Sequence, residues 1–215
     1  MKVVLISDTH GYHRDPHLEI PDGDLLIHCG DLTMSGELDV LSDVNEWFKE
    51  LEFNDIIVIG GNHDRTLGKA DMLGFKIFTN AMYLESSSIT INDKKIWGCA
   101  DTPWNYEYIA NLFAFGKMRK NMNWRGMPKD VDILVTHCPP FGFGDLLAEG
   151  SSEPNIHIGD KELLKLVNKY KPELNCFGHI HEGYGIWETK HTTFVNCSVV
   201  DERYNLVNEP VVMYI

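Results

Sequence analysis

Long apolar runs are missing from this 215-residue chain. None approaches the ~18 apolar residues that a membrane span needs, so no transmembrane helix is expected. Basic clusters are missing too. Lys and Arg number 19 against 32 Asp and Glu, the formal net charge is −13, and no Lys/Arg cluster exceeds two residues. Nucleic-acid binders carry a basic stripe, so long nucleic acid is not an expected partner. Bound divalent cations reverse the local field, which leaves small anionic substrates open. Cysteines are few, odd in number and without a CxxC: Cys29, Cys99, Cys138, Cys176 and Cys197 each lie in or just after an apolar stretch. They read as reduced core residues, not a disulfide framework, with the cytoplasm as the compartment. No Pro/Gly/Ser-rich linker, internal repeat or low-complexity segment divides the chain, and residues 1–215 read as one domain. The opening Met-Lys-Val-Val-Leu-Ile-Ser-Asp turns polar too soon for a signal peptide and reads as a first strand. No membrane partner is expected, and nothing in the sequence sets the oligomeric state.

What is present is a series of short β-branched runs ending in polar residues or glycine. Strands are predicted at Val3–Ile6, Leu25–Cys29, Ile56–Ile59, Ile89–Ile91, Lys95–Cys99, Ile133–Thr136, Leu174–Phe177, Gly185–Glu188, Thr193–Cys197 and Val211–Ile215. Several are continuous enough to be buried on both faces. Helical spacing occurs twice. It links Leu38, Leu41, Val44, Phe48 and Leu51, and again Leu163, Leu164, Val167 and Tyr170, the second behind an Asp160 N-cap and closed by Lys171-Pro172. Residues 105–125 are aromatic and mixed, a pattern that does not separate helix from loop. The whole is α/β, a layered sheet fold with helices outside.

Five of these runs end in metal-type side chains: Asp8 and His10, Asp31, Asn62 with His63 and Asp64, His137, and His179 with His181. Ligands gather at the carboxyl ends of strands in α/β sheets, so the five loops can share one cleft. Residues two apart in an extended chain face the same side, which would turn Asp8 and His10 together and likewise His179 and His181. Glycines before Asp31, Asn62 and His179 allow sharp bends near an ion. Two Asp, one Asn and four His suit Mn, Fe, Zn, Co or Ni better than Ca or Mg. Seven ligands are too many for one ion that keeps a water. They fit two ions sharing a bridging carboxylate.

The ordered blocks Asp-x-His, Gly-Asp, Gly-Asn-His-Asp, His and Gly-His-x-His resemble the calcineurin-like metallophosphoesterase superfamily, from Asp8 to His181. Ser-Asp-Thr-His-Gly, Thr-His-Cys-Pro-Pro-Phe-Gly and Gly-His-Ile-His-Glu-Gly-Tyr-Gly are most similar to its small metallophosphoesterase-domain-containing branch. The resemblance implies a two-sheet β-sandwich flanked by helices. It implies one metal on Asp8, His10 and His181, a second on Asn62, His137 and His179, and Asp31 bridging them. The cofactors it implies are two divalent transition-metal ions, Mn foremost. The expected reaction is hydrolysis of a small phosphodiester, a cyclic nucleotide or similar, by in-line attack of a hydroxide held between the ions. His63 is the expected proton donor to the leaving oxygen, with Asp64 fixing its tautomer.

The alternatives are a phosphomonoesterase or protein phosphatase on the same site, and a non-catalytic interaction scaffold. Arg14, Arg65, Arg119, Arg125 and Arg203 all lie outside the metal blocks, which favours the less charged diester. His28 reads as a core histidine, and His13, Arg14 and His17 as a solvated loop. His157 and His191 read as structural or exposed. Trp104 and Tyr106, or Phe141 and Phe143, are candidates for a wall against a flat leaving group, and Asp145 for orienting neighbours of the ligands.

Overall fold

A computed structural model describes residues 1–72, 75–102, 124, 126–147 and 155–215. Eleven strands occur among them: β1 (Lys2–Ile6), β2 (Leu25–His28), β3 (Asp55–Val58), β4 (Met82–Tyr83), β5 (Ser87–Ile91), β6 (Lys94–Cys99), β7 (Ile133–Thr136), β8 (Leu174–Phe177), β9 (Gly185–Glu188), β10 (Thr193–Asn196) and β11 (Val211–Tyr214). The helices are α1 (Leu38–Glu50), α2 (Arg65–Met72) and α3 (Lys161–Tyr170). The strands form two sheets, in the orders β11-β1-β2-β3-β4 and β5-β6-β7-β8-β10-β9. Pairing is parallel from β1 through β4 and from β6 through β7 and β8 to β10. The outer strands β11, β5 and β9 join antiparallel.

Alternation within each strand builds the layers. Val3 and Leu5 of β1, Leu25 and Ile27 of β2 and Ile57 of β3 meet Ile96, Ile133, Val135, Leu174, Cys176 and Val195 of the second sheet in one apolar cluster. The residues between them, Val4, Ile6, Leu26, Ile56 and Val58, face outward onto Leu41, Val44, Trp47 and Phe48 of α1. On the far side, Trp97, Leu134, Phe177 and Phe194 receive Leu163 and Val167 of α3. Both faces of the parallel strands are therefore covered, and their sequences read as unbroken apolar runs. Burying each such side chain contributes ~1.5–3 kcal/mol. The Asp160 side chain accepts from Leu163 N and starts α3, and Lys171 ends it in left-handed backbone.

The expected two-sheet sandwich with outer helices is the architecture found, and ten predicted strands and two predicted helices match elements of it. The sequence reading missed α2 and the two-residue β4. The undecided segment 105–125 lies outside the described residues except for Trp124.

The sheets meet at the end where the chemistry sits. In-register pairing of Ile6 with His28, and of His28 with Val58, brings the loops after β1, β2 and β3 to one edge. The loops after β7 and β8 are tied together where Gly178 N donates to the His137 carbonyl. Ser7 bridges to Ser198 across the two sheets, closing that edge.

Candidate metal centre

The five loops converge. The ligand atoms of Asp8, His10 and His181 lie within 4.8 Å of one another, and those of Asp31, His137 and His179 form a second such group. Asp31 Oδ2 is 3.9 Å from His10 Nε2 and 3.2 Å from His137 Nε2, so one carboxylate oxygen faces a member of each group. Asn62 Oδ1 is 2.9 Å from His137 Nε2, which adds the carboxamide to the second. All seven predicted ligand residues are thus brought together.

Local backbone makes this possible in an unforeseen way. Asp8, His10, Asp31 and His179 all have positive φ, between 43° and 69°. Such backbone is uncommon outside glycine, costs ~1–3 kcal/mol per residue and concentrates at functional sites. The expectation that Asp8 and His10 face one ion through extended-strand alternation is therefore corrected: a left-handed turn presents them. Two glycines permit the close approach of loops. A Cβ on Gly61 would collide with the Asp31 carboxylate, and one on Gly178 with the Asp8 carboxylate and the Ser7 hydroxyl.

The donor set is suited to cations. His10 Nδ1 is 3.0 Å from Thr33 O, His137 Nδ1 is 2.9 Å from Cys29 O, and His181 Nδ1 is 3.0 Å from Asp201 O. A carbonyl only accepts, so each Nδ1 carries the proton and each neutral ring turns an Nε2 lone pair toward the cleft. His10 Nε2 and His181 Nε2 then oppose each other at 3.3 Å, and His137 Nε2 opposes oxygens of Asp31 and Asn62. Lone pairs so close repel unless a positive charge lies between them. Asp8 and Asp31, almost without exposure, add two negative charges. Burial lowers the His137 imidazole, yet the Asp31 carboxylate beside it raises it to about 9, so without a cation Nε2 takes up a proton, and the neutral ring with its lone pair is the form in which it would hold a metal. Burial and His137 push His179 down to about 3. The fit to two metals is good on these grounds.

His63 stands beside this set. Its N–H donates to Asp31 Oδ1 at 2.8 Å, and its ring meets His10 edge-on at 4.9 Å. Its Nδ1 partner is Met34 O at 2.7 Å, where Asp64 was expected. Asp64 is taken up elsewhere. Its buried carboxylate accepts from Leu32 N, Thr33 N, Gly61 N and the Thr33 hydroxyl, which fastens the β2 loop to the β3 loop. Burial and the Asp31 charge raise Asp64 to about 6. The proton on His63 Nδ1 is held by a carbonyl, so Nε2 is the nitrogen free for exchange.

The remaining candidates separate. His28 is fully buried, bonded through Nε2 to the Thr9 hydroxyl at 2.9 Å, and pushed down to about 3 by burial. His13 is not solvated as expected: it is buried against Trp47 with Nε2 2.9 Å from Asp43. Arg14 pairs with Asp43 and Glu50, and exposed His17 with Asp15. Asp145 accepts from Gly142 N and Gly159 N and is 2.6 Å from His157 Nδ1, so it staples its own loop. His191 is exposed. Phe143 stacks on Phe194 in the core, while Phe141 packs near His157. Trp104 and Tyr106 lie outside the described residues. A third group, Glu85, Cys99 and Asp101, also comes within 4.8 Å. Burial pushes the Cys99 thiol in it up to about 12.

Sequence reasoning missed Tyr204. Its ring centroid lies 4.8 Å from that of His10 and 5.0 Å from that of His181. Burial and the charges of Asp31 and Asp8 raise its phenol. No metal-type motif surrounds it, so only the fold could reveal it.

Known proteins resemble this chain in sequence and in fold. The family model described as calcineurin-like phosphoesterase matches residues 1–183. Metallophosphoesterase domain-containing protein 1 of Homo sapiens is 36% identical over 236 residues, covering 99% of this chain and 70% of that protein. UPF0046 protein K07C11.7 of Caenorhabditis elegans is 31% identical over 234 residues, covering 100% of this chain and 75% of its own. In fold, TT1561 of Thermus thermophilus is similar at a TM-score of 0.53 and 12% identity, covering 91% of this chain and 88% of its own.

Proposed function

The chain belongs to the calcineurin-like phosphoesterase family, whose members are metal-dependent phosphoric ester hydrolases, and we propose that this one is a phosphodiesterase acting on a small diester such as a cyclic nucleotide. The observation that carries the hydrolase reading is the opposition of Nε2 lone pairs in His10 and His181, 3.3 Å apart beside two buried carboxylates. Asp8, His10 and His181 would hold one divalent ion and Asn62, His137 and His179 the other, with Asp31 between. Bound there, two transition-metal ions, manganese foremost, supply Lewis acidity and nucleophile activation for in-line displacement at phosphorus.

The chain's own groups do the rest. Thr33, Cys29 and Asp201 carbonyls lock three imidazoles in the ligating tautomer. Asp64 clamps the loops bearing Asp31 and Asn62, so their side chains arrive preorganised. Met34 O orients His63, which, protonated at both ring nitrogens, would keep its Nδ1 proton on that carbonyl and give its Nε2 proton to the ester oxygen as the P–O bond breaks, ending as the neutral ring. Preference for a diester rests on charge. A monoester dianion calls for further cationic contacts; among the described arginines, Arg14 is committed to Asp43 and Glu50 and Arg203 points into solvent with its side chain 81% exposed, while Arg65 follows the Asp64 block at the start of α2. Five buried free thiols support a reducing compartment, the cytoplasm. Among the described residues, no helix is long and apolar enough to cross a membrane.

The test is a comparison of bis-nitrophenyl phosphate with nitrophenyl phosphate on Mn-loaded protein, followed by cyclic nucleotides. A higher kcat/KM for the diester is expected. A strong monoester preference would overturn the diesterase assignment and leave the hydrolase intact.

A further inference from the structure

Tyr204 lies outside all five motif loops, yet its ring meets three histidines of the site, at 4.8 Å from His10, 5.0 Å from His181 and 6.2 Å from His63 between centroids. All three contacts are edge-to-face, with interplanar angles of 64° to 89°. The backbone there is held in a conformation that a bulky side chain rarely adopts, with φ of 62°. The surrounding loop enforces it. Tyr204 N donates to Asp201 O, and Asp201 N donates to Asn205 O, each at 2.9 Å. The Asp201 carboxylate accepts from Arg203 N and Asn205 N at 2.9 and 2.8 Å. Asp201 O also receives His181 Nδ1, which sets the loop in register with a metal-group imidazole.

A backbone conformation this unfavourable, fixed from both sides, aims one side chain at the cleft. The ring alone would suffice to pack edge-to-face on His10 and His181, and a phenylalanine could do that. A phenol brings in addition a neutral hydrogen-bond donor, half-buried beside the site, in a chain whose Tyr184 hydroxyl is by contrast spent on Glu209 O at 2.9 Å.

We propose that Tyr204 is a substrate-binding residue of this site, its ring seated on His10 and His181 and its hydroxyl donating to a phosphoryl oxygen of the bound ester. This rests on the hydrolase reading above and deepens it. A neutral donor suits the single charge of a phosphodiester and replaces the guanidinium that a dianionic monoester would call for.

The experiment uses Mn-loaded protein and inorganic phosphate as the binding probe. Phosphate affinity is read by calorimetry, metal content by mass spectrometry, and KM and kcat with bis-nitrophenyl phosphate. Tyr204→Phe keeps the ring and removes the hydroxyl. It should keep both metals while phosphate affinity falls on the order of tenfold, the worth of one hydrogen bond to a charged acceptor. Tyr204→Leu, which also removes the ring, should lose metal as well. Unchanged phosphate affinity in Tyr204→Phe would overturn the proposal, and so would a loss of metal in that variant, since either makes the hydroxyl structural. Phosphate binding reads this independently of turnover. If the wild type cleaves no diester, the substrate assignment fails while the binding comparison still decides the role of Tyr204.

Discussion

Gly60 and Gly61 are neighbours in one loop, yet the structure predicts opposite outcomes for adding a methyl group. At Gly61 a Cβ would lie 2.5 Å from Asp31 N and 2.7 Å from Asp31 Cγ, and closer still to the carboxylate oxygen. Ordinary contact needs more than 3 Å, so the Asp31 carboxylate must retreat by roughly 1 Å, a displacement that costs ~100-fold in rate when it misplaces a reacting site. The same shift strains the bond from His63 N to Asp31 Oδ1. Overpacking adds ~1–3 kcal/mol of destabilisation, or a Tm lower by roughly 2–10 °C at this chain length. At Gly60 the nearest atoms, on Ala100, Leu67 and Tyr83, are all 3.6 Å away, which is ordinary packing distance. Gly60→Ala should therefore fold, load metal and turn over like the wild type. Metal content after desalting, thermal unfolding and diester kinetics would be measured on both variants. Wild-type metal content and turnover in Gly61→Ala would refute the reasoning, and equal damage from both substitutions would show that the loop, not the Asp31 approach, is at fault.

Two further outcomes concern buried polar groups. Asp64→Ala removes the acceptor of three backbone N–H groups and should cost about 3 kcal/mol or more at ~1–3 kcal/mol per orphaned donor; a change below ~1 kcal/mol in urea unfolding would contradict the clamp. His28 is neutral when folded, held down to about 3 by burial, whereas the unfolded chain takes up its proton near ~6.5. Its contribution is complete above that value and is lost as pH falls toward 3, because the unfolded state then binds the extra proton. His28→Leu should flatten the acid slope of stability by about 1.4 kcal/mol per pH unit between pH 6 and 4. An unchanged slope in equilibrium unfolding would refute it.

Much of this was legible in the sequence because the signals were local. Unbroken β-branched runs marked strands covered on both faces, and Asp160 marked the start of α3 through a bond that the structure contains. The candidate ligands stood out since each follows a strand. What failed was also physical. α2 is eight residues long and directly follows the Asp64 turn, too short for its period to show, and β4 is two residues. Asp64 was paired with His63 by adjacency in sequence, but its carboxylate points back into the fold toward N–H groups of Leu32 and Thr33. His13 looked like loop because the three-residue 3₁₀ turn that buries it carries no periodic signal. Tyr204 was invisible for a related reason: its position depends on β10 pairing with β8 and β11 with β1 on either side of it in the chain, a long-range arrangement that no short motif encodes.

The central claim is that two metals sit between these groups with Asp31 joining them, and that hydrolysis depends on both. The direct measurement is metal titration of chelator-stripped protein, wild type and Asp31→Asn, with bound metal and bis-nitrophenyl phosphate cleavage recorded at each step. The wild type should bind two ions per chain and gain activity in step with the second, while Asp31→Asn should lose occupancy and turnover together. Full activity after stripping, no turnover with any transition metal, or two fully occupied ions in Asp31→Asn would contradict the account.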